Sequence, residues 1–194
     1  MLETYNKMLV DTNKAFNLTA HKTIEASWKF NVLDSLLFNN EISKNFKQGV
    51  NVIDLGSGSG SPAVPLKISF PQMKLTMIDS TQKKVKFLQA VSDELELGAR
   101  AVHARIEDFA KQNKETFDIV TARAVAPLDD LVKLAFPLLR RGGVLIAFKG
   151  KNYQDEVAKA KHILGRQKGK IIEVIEKNLD DETKRVLLII RKNG

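Results

Sequence analysis

The chain has 194 residues, 43% of them hydrophobic and 28% charged, and its 31 basic and 23 acidic side chains leave a net charge of +8. That is ordinary globular usage and enough sequence for one domain with a full core. Cysteine is absent, which excludes disulfides, thiolate metal sites and a cysteine nucleophile. No apolar run is long enough to span a bilayer and no apolar signal segment opens the chain, so a cytoplasmic protein is expected.

In chain order, apolar residues at helical spacing predict helices over about 2–15 (Leu2, Tyr5, Met8, Leu9, Phe16) and 24–39 (Ile24, Trp28, Val32, Leu33, Leu36, Leu37). A β-branched run at 50–55 is the first strand, and a glycine-rich loop and a helix at about 62–69 follow. Further strands are predicted at 75–79, 100–104, 117–122, 143–148, 170–175 and 185–190. Helices at 83–95, 128–139 and 153–164 lie between most of them, with Pro137 set to end the second near Phe136. Alternating strands and helices imply an α/β fold with a mostly parallel sheet covered on both faces. The last two strands are joined by KNLDDETK, too short for a helical crossover, so a terminal antiparallel hairpin is expected. The division expected is an N-terminal helical extension, 1–45, on a Rossmann-like unit, 46–194.

The loop reads GSGSGS from residue 56. Between domains it would be a flexible linker. Here it follows a hydrophobic strand and precedes a helix, so it belongs to a βαβ unit. Gly56, Gly58 and Gly60 can adopt positive φ and present no Cβ, which lets a ligand lie against the backbone. G-x-G-x-x-A also fits dinucleotide sites and is weak alone. Asp54 before the glycines and the terminal hairpin favour S-adenosylmethionine. Asp79 ends the next strand, where its carboxylate can accept both ribose hydroxyls, and Ser80 adjoins it; Ser80 and Thr81 leave Asp79 free of a capping duty. Ile106 and Glu107, after the third strand, are placed over the adenine. Arg123 ends the fourth strand at the ligand-binding edge, where its fork can hold a cofactor carboxylate or an RNA phosphate; a salt bridge to Asp54 or Asp118 is the alternative.

Between residues 149 and 170 there are seven Lys or Arg and two acids, whereas residues 1–40 carry four of each sign. A basic surface attracts polyanions. Lys149, Lys151, Lys159 and Arg166 are therefore candidate RNA contacts, with a solvated helix face as the bland alternative. The histidines at 21, 103 and 162 are scattered, and no His–Asp constellation or metal-ligand cluster is legible.

Several stretches in order resemble one family: NKAFNLTA (13–20), NVLDSLLF (31–38), IDLGSGSGSPAVPLKI (53–68), TMIDSTQKKVKFL (76–88), FDIVTARAVAPLDDL (117–131) and AFKG (147–150). They resemble the small-subunit ribosomal RNA guanine-N7 methyltransferases, also called glucose-inhibited division protein B. The resemblance implies the class I methyltransferase fold, with a seven-stranded sheet and added N-terminal helices. It implies methyl transfer from S-adenosylmethionine to N7 of a guanine in 16S rRNA, naked or in the small subunit. It puts cofactor contacts on Gly56, Ser61, Ile106, Glu107 and Arg123, with Asp79 at the ribose. Departures are Asn31 for the family's histidine, Thr12 for a tryptophan and Ser61 for a bulky residue. Guanine N7 has an exposed lone pair and no proton, so no general base is needed and Arg123 is the residue on which transfer is expected to depend. No metal, no membrane and a monomer are expected. The rival readings are a methyltransferase with another substrate, an NAD-dependent oxidoreductase, and an RNA-binding protein that keeps the fold without turnover.

Overall fold

The computed structural model describes all 194 residues. Seven strands form one sheet in the order β3-β2-β1-β4-β5-β7-β6. They are β1 (Asn51–Leu55), β2 (Lys74–Asp79), β3 (Arg100–His103), β4 (Phe117–Arg123), β5 (Leu139–Lys149), β6 (Gly169–Asn178) and β7 (Lys184–Lys192). The first five are mutually parallel; β7 runs antiparallel between β5 and β6. The expected terminal hairpin is therefore present.

Side chains of the central strands are buried on both faces, which is why these segments read as continuous apolar runs. Val52, Ile119 and Ile146 face the core shared with α1 (Leu2–Asn13), α5 (Ala63–Ser69) and α6 (Gln82–Glu94). Ile53, Val120 and Leu145 face the core under α7 (Ile106–Gln112), α8 (Leu128–Ala135) and α9 (Tyr153–Arg166). Tyr5 and Leu9 of α1 are fully buried in the first of these cores, so the N-terminal helices pack as part of the sheet's cover.

The helix expected over 24–39 is not uniform. α2 (Ile24–Ser27) passes into a π-helical turn, Trp28–Leu33, then α3 (Asp34–Leu36), α4 (Asn39–Ile42) and a 3-10 turn, Ser43–Asn45. α8 stops at Ala135, two residues before Pro137, and β5 starts at Leu139, earlier than the apolar run at 143–148 signals. Gly142, at φ +77, lies within that early part of β5.

Candidate functional site

Chain order reverses between β1 and β4, which opens a crevice at the C-terminal ends of these strands. The glycine loop fills the β1 side of it. All three glycines have positive φ, but for different reasons. A Cβ on Gly60 would sit 2.9 Å from Val64 Cγ2 and 3.2 Å from the Tyr5 hydroxyl, so Gly60 answers to the core. A Cβ on Gly58 would meet only the carbonyl of Gly56, at 3.6 Å, so its outer face is open to a ligand.

Two carboxylates frame the loop. Asp79 Oδ2 accepts from the Gly58 N–H at 2.9 Å and Oδ1 from the Thr81 N–H at 2.8 Å. The residue expected to be free for a ribose thus also holds the loop, with further lone pairs left on both oxygens. Asp54 pairs with Thr121 across β1 and β4, and its Oδ1 accepts from Thr121 Oγ1 at 2.6 Å. Its Oδ2 is buried with no partner. Burial pushes the Asp54 carboxyl up to about 6, against the Thr121 hydrogen bond and the nearby Arg123, which favour the charged form. An orphaned carboxylate oxygen beside a loop without side chains fits a ligand that brings hydroxyls or positive charge.

Arg123, half-buried with its side chain 20% exposed, pairs with Asp34 and with neither Asp54 nor Asp118. Its Nη1 donates to the Phe30 carbonyl at 2.8 Å and lies 3.4 Å from Asp34 Oδ2. Asp118 is occupied by Arg140 and the Asn51 N–H. The π-helical turn explains this grip. The Asp34 N–H reaches back five residues to the Lys29 carbonyl, and the Phe30 carbonyl is turned to the guanidinium. The next carbonyl, of Asn31, accepts from Ser35 Oγ at 2.6 Å and Ser61 Oγ at 2.9 Å. Ser61, implied as a cofactor contact, thus turns its hydroxyl inward, to Asn31 and to within 3.1 Å of Tyr5 Oη. Asn31 itself is buried and donates to Ser27 Oγ, and its amide lies beside Thr19 Oγ1.

A cavity of about 570 Å³ lies on the β4 side of the crevice. Its wall includes Phe30, Asp34, Phe38, Arg123, Phe148 and Glu156. The His21 ring is stacked on Phe30 with centroids 4.5 Å apart, and burial lowers the His21 pKa. Val125 joins cavity and loop: it lines the former, and its Cγ2 would lie 3.1 Å from a Cβ on Gly56. Ala124, beside it, holds a strained φ of +57. Asp34 accepts from Arg185 Nε of β7 at 2.8 and 3.0 Å, so the second helical segment, β4 and β7 meet at one carboxylate.

The remaining candidates spread out. Ile106 and Glu107 open α7 beside the end of β3, and Ser80 is exposed, its carbonyl 3.1 Å from His103 Nε2. Lys149 departs from its expected role as a phosphate contact. Its side chain is 9% exposed and its Nζ is held by the Ala126 carbonyl at 2.9 Å and Glu156 Oε2 at 2.6 Å. Lys151 and Lys159 are exposed. Arg166 is exposed too but closes α9 just before β6, which runs parallel to β5, so it lies at the sheet edge opposite the glycine loop. The basic stretch 149–170 is thus strung along a helix about 20 Å long instead of gathered at the site. No group of His, Cys, Asp or Glu is placed to hold a metal, and no helix is long and apolar enough to cross a membrane.

The chain as a whole has counterparts among known proteins. Residues 1–184 match the family model described as rRNA small subunit methyltransferase G. The chain belongs to that family. A relative of the same description from Thermotoga sp. (strain RQ2) is 40% identical over 178 residues, covering 91% of this chain and 76% of the relative. One from Staphylococcus carnosus is 38% identical, covering 99% of this chain and 81% of the relative. Among solved structures, the O-methyltransferase from Bacillus cereus in complex with SAH superposes with a TM-score of 0.68 at 14% identity, covering 97% of this chain and 91% of that one. A SAM-dependent methyltransferase from Aquifex aeolicus gives 0.59 at 16% identity, over 84% of this chain and 93% of that one. These two establish the fold, the class I methyltransferase sheet. Family membership gives the motif residues their setting: Asn13 of NKAFNLTA accepts from the Leu18 and Thr19 N–H groups, and Asp34 of NVLDSLLF is the carboxylate on Arg123. Asp34, Arg185 and Glu156 carried no sequence signal of their role; the LDS motif was the one available pointer.

Proposed function

We propose that the chain transfers a methyl group from S-adenosylmethionine to N7 of a guanine in small-subunit 16S rRNA, in the cytoplasm and as a monomer. The observation that carries this is the junction at Val125, where the open glycine loop meets an aromatic-walled cavity large enough for a base. Asp79 and Gly58 would hold the nucleoside end of the donor, and Asp54 would face its charged end. Bound there, S-adenosylmethionine supplies an electrophilic methyl on a sulfonium. That methyl would pass to the N7 lone pair, with the S–C electron pair left on sulfur and the positive charge on the purine. The chain's residues bind, align and exclude water; none has to remove a proton. Arg123, half-buried and clamped, is a rigid cation at the border of loop and cavity, and its remaining N–H groups can take a carboxylate. The net charge of +8 suits an RNA substrate. The intact loop and the orphaned Asp54 oxygen weigh against a binding protein without turnover.

The test is transfer of tritiated methyl from S-adenosylmethionine to small subunits and to free small-subunit rRNA from cells lacking the enzyme. Label recovered in 7-methylguanosine at a single site is the expected result. Label in another nucleoside, or none on either acceptor, overturns the reading.

A further inference from the structure

Two carboxylates line the cavity, and only one has an oxygen to spare. Asp34 is taken up by Arg185 and Arg123. Glu156 uses Oε2 alone, accepting from the Leu128 N–H at 2.9 Å and from Lys149 Nζ at 2.6 Å; Oε1 has no protein partner. Its orientation is fixed from two sides, because Lys149 on β5 is itself tied to the Ala126 carbonyl in the turn before α8. The side chain is 28% exposed, on the cavity wall. Facing groups are Lys149, Arg123, Arg185, His21 and Asp34, and the apolar walls are Phe30, Phe38 and Phe148.

An aromatic-walled cavity with one fixed carboxylate oxygen suits a particular base edge. Guanine presents N1–H and the N2 amine side by side, both donors; adenine presents an acceptor at N1. Holding that edge leaves the Hoogsteen edge, with N7, free for reaction. We propose that Glu156 is the specificity-determining residue for the acceptor, reading the N1–H and N2 amine of the guanine. The inference rests on the guanine-N7 reading above and adds a catalytic consequence. Methylation leaves the purine positively charged, so its N1–H and N2–H donors strengthen as the reaction proceeds. A carboxylate on that edge therefore binds the transition state more tightly than the ground state.

The experiment compares wild type, Glu156→Gln and Lys149→Gln. Glutamine keeps the shape and an acceptor for the Leu128 N–H but removes the charge; Lys149→Gln removes the same ion pair and keeps the carboxylate. Binding of guanosine and inosine monophosphates is measured by calorimetry with S-adenosylhomocysteine saturating. Inosine lacks only the N2 amine. Wild type should prefer the guanosine nucleotide by roughly tenfold, the worth of one charge-assisted hydrogen bond; Lys149→Gln, which keeps the carboxylate but loosens its hold, should keep part of that preference, and Glu156→Gln should lose most of it. On small subunits, Glu156→Gln should lower kcat roughly 30-fold with KM within about threefold, the pattern of an interaction made chiefly in the transition state. Its S-adenosylhomocysteine affinity should match wild type. No nucleotide binding, an unchanged preference in Glu156→Gln, or a greater loss in Lys149→Gln than in Glu156→Gln overturns the proposal. Wild type that labels 7-methylguanosine beside an undiminished Glu156→Gln overturns this inference alone; wild type that labels no guanine overturns the underlying reading with it.

Discussion

The Tyr5 hydroxyl donates a 2.9 Å hydrogen bond to the Ser59 carbonyl, fastening the first helix to the glycine loop across 54 positions of sequence. Burial pushes the Tyr5 pKa up to about 12, so the donor is present at all physiological pH. Tyr5→Phe leaves the buried Ser59 carbonyl without this donor. It should cost about 1–3 kcal/mol and weaken S-adenosylhomocysteine binding by loosening the loop. Thermal melts and calorimetry on the same variant check both effects.

The glycines should separate on substitution. Gly60→Ala drives a methyl group into Val64, Tyr5 and Leu88 and should lower the melting temperature by several degrees, as overpacking costs about 1–3 kcal/mol. Gly58→Ala meets no such wall and should pay about 1–2 kcal/mol for its left-handed backbone. Its methyl nevertheless faces the ligand, so affinity for S-adenosylhomocysteine should fall far more than stability does. Equal losses of binding in the two variants would contradict this division of roles.

Arg123→Lys keeps a cation but not the fork that spans Phe30, Asp34 and a ligand. Single-turnover transfer should drop about 100-fold, on the order of 3 kcal/mol, while Arg185 still holds Asp34 and the protein remains folded. Transfer at the wild-type rate in this variant would remove Arg123 from the mechanism.

Asp54 gives a pH signature. Its folded pKa, about 6, lies above the ordinary aspartate value of 3.8 because burial disfavours the charge. Its contribution to stability is therefore fully present below the unfolded value and is lost as pH rises through 6. Asp54→Asn should melt at least as high as wild type at pH 7.5 and show no advantage at pH 4. Donor affinity should run the other way. It should fall in wild type as pH drops below 6, and be low and flat in Asp54→Asn. Calorimetry at pH 5.5 and 7.5 separates the two cases.

Lys151 follows the end of β5 at the cavity, whereas Arg166 lies at the far edge of the sheet. Lys151→Glu should reduce kcat/KM on small subunits several-fold and lower the slope of log affinity against log salt by more than one unit; Arg166→Glu should stay within about twofold. The opposite ranking would place the RNA across α9 and its C-terminal end.

The sheet was legible because burial on both faces writes each central strand as an unbroken apolar run, and the loop because Asp54 and three glycines sit where β1 ends. Asp79 was legible for the same local reason. The partners of Arg123 were not. Asp34 is 89 positions away and Phe30 contributes a backbone carbonyl, which no side-chain pattern encodes. The π-helical turn that aims both leaves the apolar spacing of 24–39 intact, so periodicity passes over it. Charge counting passes over the settings of Lys149 and Arg166, because a sum over sequence does not show that one cation is internally paired and that a helix carries the other to the opposite end of the strands. Ser61 lies in a cofactor motif, yet its hydroxyl is spent on Asn31, a partner 30 positions upstream.

The bond between Asp34 and Arg185 spans 151 positions, and Arg185 stands on β7, an inner strand between β5 and β6. During synthesis the donor loop and its carboxylates leave the ribosome long before that strand does. The wall around the cavity is therefore completed only after the glycine loop and its carboxylates have been made, and it is β7 that closes it.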